Sequence, residues 1–128
     1  MKLLLLLLLS FLLFYAGTCC PALSGTYSVR NRTADTLTVS WKNKPMRLPV
    51  DTTILLSPGQ TLTLFQYFDI GVVEHFTIQR ELDTLTVAAK KGTYKKNTLI
   101  DSNWTLTKTG QYSGTVDALL EIKAEDIQ

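Results

Sequence analysis

The stretch ILLSPGQTLTLFQY, residues 54–67, decides the fold. In its downstream half Leu62 and Leu64 share one face and Thr61 and Thr63 the other, the period of two that sends successive strand side chains to opposite sides. The SPGQ segment between the apolar runs is a turn. Pro58 presets φ for the first central position, and Gly59 accommodates the positive φ that the second position of a type II turn demands. Strand, turn and strand agree, and the same pattern extends in both directions. Tyr27 and Val29 share a face in TYSVRN; Leu37, Val39 and Trp41 share one in TLTVSW. FTIQREL, TLTVAAK, GTYKKN, WTLTKT and GTVDALLEIK continue the series, with Gly71 marking a bend or bulge. These segments predict an all-β chain, a single immunoglobulin-like β-sandwich of about seven to eight short antiparallel strands. The terminal ALLEIKAEDI is rich in helix formers, but the alternation leading into it makes it the closing strand.

Ahead of the sandwich lies MKLLLLLLLSFLLFYAGTCC. A positive start and an apolar run from Leu3 to Tyr15, short for a bilayer span, read as a secretory signal. The expected division is residues 1–18 as signal peptide, 19–26 as lipid anchor and tether, and 27–128 as the sandwich. The chain has two cysteines, side by side, and one histidine. A bridge between neighbouring cysteines closes a strained ring, no third cysteine exists to pair with either, and His75 alone makes no metal set. Small residues Ala16, Gly17 and Thr18 before Cys19 resemble a bacterial lipoprotein cleavage site, so Cys19 is the expected lipidation site. The predicted location is the bacterial cell envelope, with the membrane as a partner through the lipid. Ordinary signal-peptidase cleavage, giving a secreted or periplasmic protein, and an uncleaved membrane anchor are the competing readings.

The 128 residues carry a formal charge of +2, part of which is Lys2 in the leader. A scattered, near-neutral mature chain lacks the electrostatic footprint of a nucleic-acid binder. Its length suits one domain with one core.

Candidate chemistry is sparse. Asp69, Glu74 and His75 are the nearest approach to an acid-base cluster, but adjacent residues on a strand diverge and no nucleophile accompanies them. Glu81, Asp83 and Asp101 lack calcium-loop spacing and read as solvated turn carboxylates. KKGTYKK places four lysines around a Gly-Thr turn; exposed lysines of this kind discourage edge-to-edge pairing, and an anionic surface is the alternative partner. Trp41 lies on the face of Leu37 and Val39 and belongs to the core. Trp104, at a turn-to-strand junction, is the better candidate for an exposed ring that stacks on a sugar, although core packing is favoured for it as well. NRT and NWT match the glycosylation pattern at Asn31 and Asn103, with no eukaryotic context around them.

NRTADTLTV, ILLSPGQTLTLFQY, DSNWT and LLEIKAEDI resemble the small exported proteins, many of them lipoproteins, of Bacteroidota, a group without assigned activity. The resemblance implies an envelope location and a β-sandwich, and carries no functional residues. The expected function is a non-enzymatic, envelope-tethered binding or interaction module, without cofactor or metal, directed at an envelope protein or glycan and not at nucleic acid. The alternative is a small exported enzyme inhibitor acting through the NKPMRLP loop between Asn43 and Pro49, with Met46 and Arg47 at its tip. A hydrolase is least favoured, since no residue set fills catalytic roles.

Overall fold

A computed structural model describes residues 20–44 and 52–128. Among the described residues there are eight strands: β1 (Ala22–Asn31), β2 (Leu37–Asn43), β3 (Thr52–Leu56), β4 (Thr61–Ile70), β5 (Leu82–Ala89), β6 (Gly92–Thr93), β7 (Thr105–Thr109) and β8 (Gly114–Ile122). They form two four-stranded sheets, ordered β4-β1-β8-β7 and β3-β2-β5-β6. The chain is all-β, as the alternation predicts. One pairing departs from the expected antiparallel arrangement: β1 runs parallel to β8. Alternation is identical in parallel and antiparallel strands, so only the path between the first and last strands decides the direction of that pair.

The SPGQ turn forms as read. Gly59 has φ +76°, and the Gln60 amide donates to the Ser57 carbonyl at 3.2 Å. Yet β3 and β4 belong to different sheets, so the turn is a corner between layers and not a hairpin. It is held against the end of β1: the Gly59 amide donates to the Asn31 carbonyl at 2.8 Å, and the Asn31 amide donates to Gln60 at 2.9 Å.

Along β4 the strict alternation lasts only to Leu64. Phe65 pairs with Tyr27 and Thr63 with Ser28, so Leu64 is the extra residue of a bulge and the inward face changes phase there. Leu64 is buried, Phe65 and Tyr67 continue the core, and Gln66, Phe68 and Ile70 turn outward. Tyr27 is the centre of this core. Its ring stacks on Phe65 at 4.6 Å and meets Tyr67 and Trp104 edge-on at 5.5 and 5.8 Å. Gly25 permits a close crossing of β1 and β8. A Cβ there would lie 2.0 Å from the Val116 carbonyl oxygen, which accepts the Tyr67 hydroxyl at 2.7 Å.

Three local expectations change. FTIQREL is not a strand: Val73–His75 and Ile78–Arg80 are single 3-10 turns, and β5 begins at Leu82. Phe76 and Ile78 are both buried, so two apolar residues spaced like a strand arise here from an irregular segment pressed on the core. The closing segment is strand to Ile122 and then a 3-10 turn, Ala124–Asp126. Finally, β1 starts at Ala22, inside the region 19–26 expected as tether.

Candidate functional site

Of the residues proposed from sequence, Cys19, Met46 and Arg47 lie outside the described residues, as does most of the 43–49 loop. Cys20 is exposed and unbridged. Trp104 takes the core packing favoured for it, and its candidate role as an exposed binding ring is overturned: it is 6 % exposed, and its indole N–H donates to the Thr98 carbonyl at 2.8 Å. Tertiary context decides this, because the 3-10 turn Asp101–Asn103 delivers the ring into the sandwich.

The acid-base candidates do not converge. Glu74 and His75 are exposed on their 3-10 turn, while Asp69 is 3.2 Å from Arg80. Glu81, expected in solvent, is buried with its carboxylate 3.7 Å from Arg80 Nε. Arg80 also donates to the Ile70 carbonyl, so this cluster fastens the Ile78–Arg80 turn to the end of β4. Burial pushes the Asp69 carboxyl up, but the Ile70 amide, Glu81 and Arg80 together hold it below its ordinary value. Asp101 accepts the Ile78 amide at 2.8 Å. Among the described residues no group of three or more His, Cys, Asp or Glu is placed to hold a metal. A shallow groove of about 530 Å³ beside β5, lined by Thr86, Thr93, Thr98 and Lys96 among others, offers hydroxyls and no acid-base pair.

The Asn31 side chain is buried and already donates to the Asp35 and Leu56 carbonyls at 2.8 and 2.9 Å, so it is no glycosylation acceptor. Asn103 donates to the Asn97 carbonyl at 2.7 Å.

The lysine turn divides in two. Lys90 and Lys91 are exposed at the β5-β6 connection. Past Gly92, the chain is bonded to the C-terminus: Thr93 and Gln128 exchange backbone hydrogen bonds at 2.7 and 3.0 Å. Lys96 reaches the buried Asp126 at 2.6 Å, so it is an anchor and not surface cladding. Burial raises the Asp126 carboxyl, but the Lys96 ammonium and the Lys123 amide outweigh this and hold it below the usual carboxylate range. A lowered folded value means stability present above the unfolded value, near pH 4, and lost as pH falls through the lowered one. Asp126→Asn is expected to cost about 1–2 kcal/mol at neutral pH. The gap between the two proteins should close below about pH 4 in urea titrations; a gap independent of pH would contradict the pairing.

Among the described residues the large exposed apolar side chains, Ile100 apart, gather in two places. On β3, the outermost strand of its sheet, Leu55 is 69 % exposed, with Ile54 beside it also exposed. At the end of the other sheet where β1 begins, Phe68 and Ile70 on β4 are 69 % and 62 % exposed, and Tyr112 in the β7-β8 connection is 58 % exposed. The sequence carries a signal for part of this surface. ILL is a continuous apolar run that no single strand face can hold, and FQYF packs three aromatics where alternation admits two.

Fold and surface together define a two-sheet, all-β sandwich without an acid-base or metal constellation among its described residues, carrying exposed apolar positions at one sheet edge and one pole. Compared with known protein families, with curated proteins and with solved structures, the chain matches none.

Proposed function

We propose that this protein is a non-enzymatic interaction module, tethered to a bacterial cell envelope by a lipid on Cys19, that binds an envelope protein through the β3 edge. The observation that carries the reading is the edge itself. Outermost strands of soluble proteins are usually blunted by charge, proline or a bulge, and Thr52–Leu56 reads TTILL with none of these. Leu55 supplies an apolar contact, and a partner strand added there would extend the sheet by main-chain hydrogen bonds. The leader, the small residues before Cys19 and the resemblance to exported Bacteroidota proteins support the tether. The finer architecture we take with it is immunoglobulin-like, supported by two sheets closing over the buried Trp41 of β2.

A photo-reactive amino acid at position 53, placed in the native protein in its own cells, is expected to capture a discrete envelope protein. Leu55→Lys should remove that adduct and leave the melting temperature unchanged, since Leu55 packs on nothing inside. An adduct pattern indifferent to Leu55→Lys would refute the edge as the binding surface.

A further inference from the structure

We infer that the pole of the sandwich bearing Phe68, Ile70 and Tyr112 seats against the lipid bilayer, its apolar side chains entering the boundary between headgroups and acyl chains. This rests on the proposed tether, and adds to it an orientation.

Four pairings bring the entering chain and these residues together. Ala22 is in register with Ile70, and Ser24 with Phe68. The Gly71 amide donates to the Pro21 carbonyl at 2.9 Å, and the Ala22 amide donates to the Ser113 hydroxyl at 3.1 Å. The Val73 amide donates to the carbonyl of Tyr112 at 3.2 Å, which fixes the third side chain's loop to the same pole. The apolar leader therefore joins the domain where its exposed apolar side chains gather.

The distance is short. From Cys19 to Ala22 an extended chain spans at most about 11 Å. A headgroup layer is roughly 5–8 Å thick, so a lipid on Cys19 holds this pole within a few ångström of the headgroups. Phe68 and Ile70 lie on the outer face of their sheet, and the polarity of that face changes along the strands. At the N-terminal pole it presents Ala22, Phe68 and Ile70. Midway it presents Thr26 bonded to Asp117. At the far end Arg30 and Arg32 share Glu121 at 3.4 and 3.2 Å. A face graded from aromatic and aliphatic to ion-paired suits a domain standing with one pole in lipid and the other in water, and Tyr112 has the amphipathic ring that favours the interface.

Electrostatic attraction adds little. Asp69 and Arg80 at this pole pair with each other, and Glu74 and His75 stand on the neighbouring turn. Seating is therefore apolar and insensitive to salt, unlike the adsorption of a basic patch.

The test uses the full chain, exported and lipidated, with Cys20→Ser so that an introduced cysteine is the only free thiol. Tyr112→Cys carries the environment-sensitive dye NBD; Thr86→Cys, on the outer face of the opposite sheet, carries it as the control. Both proteins are reconstituted into phosphatidylethanolamine–phosphatidylglycerol vesicles. The expected result is co-flotation of both, with blue-shifted emission at position 112 alone and several-fold stronger quenching there by brominated acyl chains. Roughly 1 M salt, where the Debye length is near 3 Å, should leave this unchanged. Adding Phe68→Ser and Ile70→Ser should return position 112 to the spectrum of position 86. Co-flotation with a solvent-like spectrum at 112 overturns the seating and leaves the tether standing. A blue shift without lipid quenching also overturns it, since a second copy or another protein then covers the pole. Failure to float overturns the tether and the orientation with it.

Discussion

Tyr27→Ala lowers the unfolding free energy by about 3–5 kcal/mol, the range for removing a large buried aromatic, out of about 5–15 kcal/mol for a domain of this size. Tyr27 has no exposed surface and is ringed by Phe65, Tyr67, Phe76 and Trp104, with centroids 4.6 to 5.9 Å away. These neighbours come from β4, the segment after it and the approach to β7, so no single element can collapse to fill the space. Burial and nearby negative charge push the Tyr27 hydroxyl well above its ordinary value, and it stays protonated to donate to the Ile78 carbonyl at 3.1 Å. Tyr27→Phe keeps the rings and loses that bond, at about 1 kcal/mol. Urea or guanidinium midpoints separate the two. Similar losses from both variants would show that the hydroxyl, and not the packed rings, is the important part.

Asn31→Leu is expected to cost about 3 kcal/mol although it exchanges side chains of similar size, because each buried group left without a partner costs about 1–3 kcal/mol. The Asn31 carboxamide donates to the Asp35 and Leu56 carbonyls and accepts from the amide and hydroxyl of Thr33, both at 2.8 Å. Its backbone holds the Gly59–Gln60 corner. One residue therefore links the end of β1, the β1-β2 loop and the corner between the sheets. Asn31→Asp keeps the acceptor but turns a charged oxygen toward two carbonyls. Its folded pKa should be raised, so that variant should regain stability as pH falls through the raised value. Chemical denaturation at pH 7 and pH 4 reads both effects; an Asn31→Asp protein no more stable at pH 4, measured relative to wild type, would argue against the carbonyl-facing geometry.

The sequence by itself determined what depends on nearest neighbours. Thr-Leu-Thr-Leu alternation made β4 a strand, Pro58-Gly59 made the turn, and Leu37, Val39 and Trp41 declared their common buried face, because strand period and turn dihedrals are local properties of the chain. Tertiary structure alone decided where those strands went. Whether SPGQ closes a hairpin or crosses between sheets, and whether β1 meets β8 parallel, depends on partners far along the chain that leave no mark on alternation. The bulge at Leu64 belongs to the same class: one unpaired residue in register against β1 reversed the inward face of β4 and sent Phe68 outward. Burial of Trp104, Glu81 and Asp126 likewise came from packing, since a turn-like local sequence does not say which side of it the core lies on. The candidate surface was the least legible part. Leu55, Ile70 and Tyr112 resemble core residues in composition, and only the position of their strands and loop, at an edge and at the pole where the leader enters, leaves them facing out.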